Sequence, residues 1–244
     1  MVAQPHVGTL REKPLHAALK KYCAEPGDAF EVPVGGFVVD IVRGPLLIEI
    51  QTRGFSSMRR KLAALLDGHP IRIVHPVAST RRIVKVDDDG VVVSRRTSPK
   101  HGTALDVFAE LVSFPGLLEH PHLTLDVLLV EEEEVRRFSP GMAWRRHGWV
   151  VDEHRLLEVR SRVRIETPND LARLVPASVG DEFTTSDLAL AIGRPRRLAQ
   201  QMAFCLRTLG LVDPVGKRGN SVVYRRRPRA LLGGDVAAAA PRLP

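Results

Sequence analysis

The sequence contains little cysteine and no long apolar run. Cys23 and Cys205 are the only cysteines among 244 residues, and they lack the paired spacing of a zinc or redox site. No stretch approaches the roughly 18 apolar residues that span a bilayer, and the N-terminal residues lack the pattern of a secretory signal peptide. These absences predict a cytoplasmic protein in a reducing compartment, with no membrane partner.

Two other kinds of motif are also missing. The sequence has no glycine-rich phosphate loop and no HxH or HxxxH pair of histidines, so it predicts neither a nucleotide cofactor nor a histidine-bound metal. Two acidic runs occur, at Asp87–Asp89 and Glu131–Glu134. A turn and a solvated strand end explain these runs more simply than metal sites do.

Positive charge is abundant, and it is concentrated near the C-terminus. The formal net charge is +8 at pH 7. Between Arg194 and Arg229 there are ten arginines and lysines and one acid, Asp213, which gives +9 there and −1 for the rest of the chain. Such asymmetry favours a polyanionic partner, most often nucleic acid. The alternative is a solvated basic surface that has no partner.

The first 138 residues have the pattern of an α/β domain. Helical spacing of apolar residues begins near Pro14 and recurs at 56–68 and 103–114. Runs rich in β-branched residues predict strands at 29–42, 46–52, 71–78 and 123–135, and a hairpin around Asp87–Gly90. Residues 139–176 are interpreted as a connector with some helix and strand.

The C-terminal part resembles a winged helix over residues 178–227, within a predicted domain at 177–230. Thr184 or Thr185 caps a short helix that ends at Gly193, and a second helix opens at Pro195. Two short strands then flank a Lys-Arg-Gly-Asn tip. The last residues, 231–244, are predicted to form a disordered tail.

A winged helix of this kind predicts the residues that contact duplex DNA. In a helix-turn-helix, the second helix enters the major groove and its N-terminal side chains reach base edges. The candidate contacts from this helix and the following wing are Arg194, Arg196, Arg197, Gln200, Gln201, Lys217, Arg218, Asn220 and Arg225. The alternative is a winged helix that binds protein.

Two carboxylates lie in the apolar run VVDIVRGPLLIEIQT, residues 38–52. If Gly44 and Pro45 are the central residues of a type II′ turn, facing residues sum to 89, and Asp40 stands opposite Glu49 on one face. Like charges in this position repel each other. A divalent cation such as Mg²⁺ would turn that repulsion into binding, whereas the alternative remedy is a proton shared by the two acids.

These residues and their order resemble the PD-(D/E)XK nuclease superfamily, over residues 10–80. Its motif appears here as Asp40, eight intervening residues, and then Glu49-Ile50-Gln51. The resemblance implies a restriction-endonuclease-like mixed sheet flanked by helices. It also implies Mg²⁺ or Mn²⁺ held by Asp40, Glu49 and the Ile50 carbonyl. Gln51 stands where the family usually has lysine, so its positive charge is missing.

Lys61 is the candidate to supply that charge, because it borders the helix face that should pack on the sheet. The alternative is a snorkelling lysine with its ammonium group in water. Many members use an additional glutamate from the first helix. Glu12 is the candidate for this role, although Thr9 and Glu12 also form a capping-box pattern. Glu31 is another nearby acid that the sequence gives no reason to prefer.

The combined pattern predicts a metal-dependent DNA endonuclease, with Asp40, Glu49, Gln51 and Lys61 as catalytic residues. The winged helix would deliver duplex DNA to them. Double-strand cleavage would favour a homodimer, although no residue in the sequence demonstrates one. The alternatives are a catalytically inactive DNA-binding regulator or structural factor, and an RNA-processing nuclease.

Overall fold

The computed structural model describes residues 13–142 and 147–227. Glu12, Arg229 and the predicted tail at 231–244 lie outside these ranges. The helices are α1 (Pro14–Cys23), α2 (Arg59–Leu65), α3 (Phe108–Leu111), α4 (Pro168–Arg173), α5 (Thr185–Ile192) and α6 (Arg196–Thr208). The strands are β1 (Ala29–Val34), β2 (Phe37–Arg43), β3 (Leu46–Ile50), β4 (Ile71–Val86), β5 (Val92–Thr97), β6 (Leu123–Phe138), β7 (Trp149–Ile165), β8 (Glu182–Thr184), β9 (Val212–Arg218) and β10 (Ser221–Arg226).

The main sheet is mixed and has the order β1-β2-β3-β4-β6-β7, with β5 paired to the distal half of β4. β3, β4 and β6 run parallel to one another, and the other neighbouring pairs are antiparallel. A parallel neighbour requires a crossover connection. Helix α2 supplies one between β3 and β4. The predicted α/β class with a large mixed sheet and flanking helices is therefore confirmed.

The strand predicted at 29–42 is two strands. Gly35 and Gly36 have φ values of 55° and 82°, and glycine adopts this left-handed region without steric cost. The pair forms the turn between β1 and β2, and a Gly-Gly dipeptide is a recognised hairpin signal. The site therefore lies within a three-stranded meander rather than a single hairpin.

The residues interpreted as a connector instead include β7, the last strand in the order of the main sheet. β7 pairs with β6 from Trp149 to Ile165. Its alternation was obscured because most of its side chains are polar and partly exposed. The acids of β6 are buried among arginines rather than solvated, and Glu131, for example, pairs with Arg82 and Arg160. The sheet unit therefore extends to about residue 166.

The sheet is covered on both faces. Leu15 and Leu19 of α1 pack on one face, while α2 and α3 pack on the other through Leu62, Phe108 and similar side chains. No helix in residues 13–142 or 147–227 is long and apolar enough to cross a membrane.

Residues 177–227, the C-terminal unit, contain α5, α6 and a three-stranded sheet of order β8-β10-β9. Thr184 caps α5 and exchanges hydrogen bonds with Asp187, as the threonine pattern predicted. β8 was not foreseen because it is only three residues long. Met202 and Leu206 of α6 belong to the same buried cluster as Phe108 and Leu62, so the two units share one continuous core.

Candidate functional site

The β2–β3 hairpin has the predicted register. Ile41 faces Ile48 and Arg43 faces Leu46, so facing residues sum to 89, and Gly44 has a φ of 54°. The ladder stops at Ile41. One position further along, the Asp40 carboxylate takes the place of a backbone partner and accepts a hydrogen bond of 2.7 Å from the Ile50 N–H. Asp40 and Glu49 thus lie just beyond the end of the β2–β3 backbone ladder.

Asp40 is held in its ionised form by its neighbours. His16 Nε2 of α1 lies 3.2 Å from the same Asp40 oxygen that accepts from Ile50. Burial works to raise the pKa of the Asp40 carboxyl, but hydrogen bonds from His16 and Ile50 and the charge of Lys61 together hold it below its ordinary value. His16 was missed from the sequence, because no motif links a lone histidine on α1 to β2.

The pKa of Glu49 is shifted in the opposite direction to that of Asp40. Its side chain is 10% exposed, and burial together with the nearby Asp40 charge raises its pKa to about 7, despite opposing contributions from Lys61. Glu49 Oε1 makes no hydrogen bond of regular geometry, although the Lys61 ammonium lies against it. We describe this contact as an ion pair rather than as an unpartnered oxygen, because the Lys61 ammonium lies directly at Glu49 Oε1. Glu49 is therefore the more easily protonated of the two carboxyl groups near neutral pH.

Lys61 reaches the site from α2. Its ammonium pairs with Glu49 and donates a hydrogen bond of 2.5 Å to the Val38 carbonyl on β2. The side chain is 13% exposed, so it is not the snorkelling lysine of the alternative interpretation. A positive charge therefore lies beside the carboxylates even though the sequence position after Ile50 lacks one.

Gln51 is directed away from the carboxylates. Its amide nitrogen donates to the Arg53 carbonyl at 2.6 Å and lies near the Gly54 carbonyl and the Ser57 hydroxyl. On its backbone side, His75 Nδ1 lies 2.7 Å from the Gln51 carbonyl. Burial lowers the pKa of His75, which favours its neutral form. Gln51 thus fixes the loop that leads into α2.

The residues present fit a hard divalent cation. Two neighbouring carboxylates are available, and Glu49 Oε1 is buried without a regular hydrogen bond. The Ile50 N–H points to Asp40, and because both backbone groups of one strand residue point to the same side, the Ile50 carbonyl faces that side too. Within the described ranges, no three His, Cys, Asp or Glu side chains form a metal cluster. Waters and substrate oxygens would complete the shell, which Mg²⁺ readily accepts.

The basic residues of the C-terminal unit fall into two groups. Several form ion pairs inside the protein: Arg218 with Asp187, Arg225 with Glu182, and Arg227 with Asp213. Arg194 pairs with Asp106 of the sheet unit and donates to the His101 carbonyl at 2.7 Å. Arg194 therefore connects the two units and does not occupy the exposed position predicted for a DNA contact.

The second group points to solvent from α6 and the β9–β10 turn. Arg196, Arg197 and Gln200 are exposed on α6, and Gln201 is partly buried beside them. Lys217 and Asn220 are exposed at the turn. In the part of the chain that the structure describes, neither Arg196, Arg197 nor Lys217 has an acidic partner, and the Arg196 guanidinium contacts only the Ser221 hydroxyl at 3.3 Å. These two places therefore carry positive charge that no described acidic side chain compensates.

The fold and site define a mixed α/β protein that combines a buried carboxylate pair with a basic exposed helix. Residues 13–166 match the family model described as a domain of unknown function (DUF8091), and the chain belongs to that family. The matched segment ends just after β7, in agreement with the extent of the main sheet. A protein of Treponema pallidum (strain Nichols), described as uncharacterized, is 31% identical over 224 residues, which cover 91% of this chain and 88% of that protein. No solved structure matches.

Proposed function

We propose that this protein is a metal-dependent DNA endonuclease that hydrolyses phosphodiester bonds. In this proposal, the sheet unit is a restriction-endonuclease-like domain of the PD-(D/E)XK type, and the C-terminal unit is a winged helix that binds duplex DNA. The observation that carries the proposal is the constellation of Asp40, Glu49 and Lys61, in which two neighbouring carboxylates meet an ammonium group.

Asp40, Glu49 and the Ile50 carbonyl would hold Mg²⁺ or Mn²⁺. When bound, such an ion polarises a phosphate and lowers the pKa of a bound water. Lys61 is already beside Glu49, so it can stabilise negative charge on a phosphate placed there. Lys61 thus supplies, from α2, the charge that lysine usually provides from the strand position occupied here by Gln51.

The order α5, α6, β9, β10 supports the winged-helix assignment. A second helix with an exposed, basic N-terminal turn is the part of such a unit that enters the major groove. Arg196, Arg197 and Gln200 occupy that turn and are exposed. These side-chain types contact phosphates and the edges of guanine and adenine.

One observation favours a second function, that of a DNA-binding regulator or structural factor without nuclease activity. The Lys61 ammonium compensates the Glu49 carboxylate within the protein itself. A carboxylate whose charge is already balanced by an ammonium group attracts a metal ion less strongly. This alternative retains the DNA-binding surface and differs only in the chemistry at the carboxylates.

Cleavage of supercoiled plasmid tests both functions. The full chain is incubated with plasmid and Mg²⁺ or Mn²⁺, alongside Asp40→Ala, Glu49→Ala and, as a matched control, the exposed turn variant Asp88→Ala. We expect nicked or linear product from the wild type and from Asp88→Ala only. Cleavage that persists in both site variants contradicts the assignment. DNA binding without any cleavage supports the regulator instead. Linear product together with a dimeric sedimentation profile would support the homodimer.

A further inference from the structure

The exposed face of α6 continues beyond its basic N-terminal turn to an aromatic residue. Phe204 is 42% exposed, although most large apolar side chains of α6 are buried. It lies one helical turn after Gln200 and just before Arg207, on the same exposed face. An exposed aromatic ring between cationic and amide side chains is a recurring feature of surfaces that bind nucleic acid bases.

Phe204 lies between two clefts. One, of about 330 Å³, is shared with Arg196, Gln200 and Arg207 on α6 and with Asn220 and Tyr224 of the β9–β10 hairpin. The other, of about 660 Å³, lies between α6 and the sheet unit, and its walls include Arg59, Arg60, Ala63, Pro115 and Leu117. Because Phe204 lines both, the two clefts adjoin at this side chain, and we treat them together as a path from the C-terminal unit to α2.

The charged residues that line this path are all positive. The residues that line the two clefts include Arg59, Arg60, Arg196 and Arg207, and they include no aspartate or glutamate. Within residues 13–142 and 147–227, none of these four arginines forms an ion pair. The contrast with Arg218, Arg225 and Arg227, which are all paired, shows that the positive charge of the path is available to an external anion.

We propose that this path, the α6–α2 groove, binds an unpaired DNA strand that leaves a duplex held on the N-terminal turn of α6. A base stacks on Phe204 and the arginines neutralise the phosphates. The inference rests on the proposed function, because it takes duplex binding by α6 as given. It makes the preferred substrate a junction between duplex and single strand.

An unpaired strand fits the groove better than a continuous duplex does. A duplex presents phosphates on its outside and keeps the faces of its bases stacked, so it offers no partner for an aromatic face. The groove combines arginines with apolar walls at Ala63, Pro115 and Leu117. Unpaired bases are flat apolar surfaces next to phosphates, and stacking on an aromatic side chain tolerates any base.

The groove reaches α2, the helix that also carries Lys61 of the carboxylate site. Arg59 and Arg60 begin α2, and Lys61 follows them on the same helix with its ammonium at Glu49. A strand whose phosphates contact Arg59 and Arg60 is therefore bound by the helix that also supplies Lys61.

Fluorescence anisotropy tests the inference on the full chain, with EDTA present so that no strand is cut. The probes are a blunt duplex and the same duplex extended by a single-stranded overhang. We expect the overhang to improve affinity on the order of tenfold, which is the scale of one stacked base. Phe204→Leu, which keeps an apolar side chain but removes the ring, should abolish this gain and leave affinity for the blunt duplex unchanged.

The arginine pair is tested with a matched control. Arg59→Ala/Arg60→Ala should weaken binding of the overhang probe, whereas Arg95→Ala/Arg96→Ala removes the same charge from exposed positions on β5, outside the groove, and should not. Thermal unfolding of each variant checks its fold. If the wild type binds the two probes equally well, or if Phe204→Leu keeps the gain in affinity for the overhang, the groove inference is overturned. The proposed duplex binding is then unaffected. Failure to bind either probe overturns the proposed duplex binding with it.

Discussion

The two regions that carry the proposed function hold their charged side chains in opposite ways. At the β2–β3 hairpin, Asp40, Glu49 and Lys61 are largely buried and satisfy one another. On α6, Arg196 and Arg197 are exposed and have no acidic partner among the described residues. Buried charges are costly unless paired, whereas exposed charges cost little and bind external anions. The first arrangement suits a site that must be fixed before substrate arrives, and the second suits a surface that gains its partner from outside.

The same contrast recurs inside the C-terminal unit. Among the described residues, Arg194, Arg218, Arg225 and Arg227 form internal ion pairs, and the arginines on the outer face of α6 do not. The high net charge of this segment therefore overstates the charge available to DNA. The available part is concentrated on one helix face.

Replacing Lys61 with alanine should give the largest effect and would test the buried arrangement directly. We expect plasmid cleavage to slow by about 10²- to 10³-fold, because a preorganised charge at the reacting phosphate is lost. DNA affinity should stay unchanged, since α6 is untouched. Single-turnover cleavage rates and anisotropy measure the two effects, with the exposed α1 variant Lys21→Ala as a control. A cleavage rate equal to that of the control would show that Lys61 is only structural.

In the metal-free protein, the stability of Glu49→Gln relative to wild type should increase as the pH rises from about 4.5 to about 7. The folded protein holds the Glu49 proton up to about pH 7, but the unfolded chain releases it near 4.5. Stability is therefore lost across that window and stays reduced above it. Glutamine avoids this loss, which amounts to on the order of 3 kcal/mol above pH 7.

Urea unfolding in EDTA at several pH values measures this difference. The exposed variant Glu119→Gln is the control, and its stability relative to wild type should not change over the same window. A parallel pH dependence in the two variants would mean that Glu49 is not held protonated by burial.

Arg194→Ala tests whether a basic residue predicted to contact DNA instead joins the two units. The change removes its ion pair with Asp106 and its hydrogen bond to the His101 carbonyl. We expect a loss of about 1 to 2 kcal/mol in the free energy of unfolding, because the contact is partly exposed. DNA affinity should be unaltered. A weakened affinity with unchanged stability would place Arg194 on the DNA surface after all.

Arg196→Ala/Arg197→Ala should have the smallest effect of the four changes. It should weaken DNA binding and leave the free energy of unfolding unchanged. Loss of two phosphate contacts should reduce the slope of log affinity against log salt by up to about 1.8, with affinity falling on the order of tenfold. The matched variant is Arg225→Ala/Arg227→Ala, which removes two paired arginines and should change the slope less. Equal slope changes for the two double variants would erase the distinction between paired and unpaired arginines.

Much of the local structure could be predicted because it depends on neighbours in sequence. The start of α1 at Pro14, the cap of α5 at Thr184 and the register set by Gly44 and Pro45 all follow from short-range backbone preferences. The long edge strand β7 could not be predicted, because its polar, half-exposed side chains lack the alternation that marks a strand with one buried face.

The sequence by itself determined the class of fold, the register of the hairpin that carries Asp40 and Glu49, and the concentration of positive charge near the C-terminus. Only the tertiary structure decided that Lys61 reaches Glu49, that His16 contacts Asp40, that Gln51 turns to its own loop, and that Arg194 joins the units. The physical reason is range: turns and caps are fixed by a few adjacent residues. Ion pairs between distant elements depend on how the helices pack on the sheet, and no local pattern encodes that.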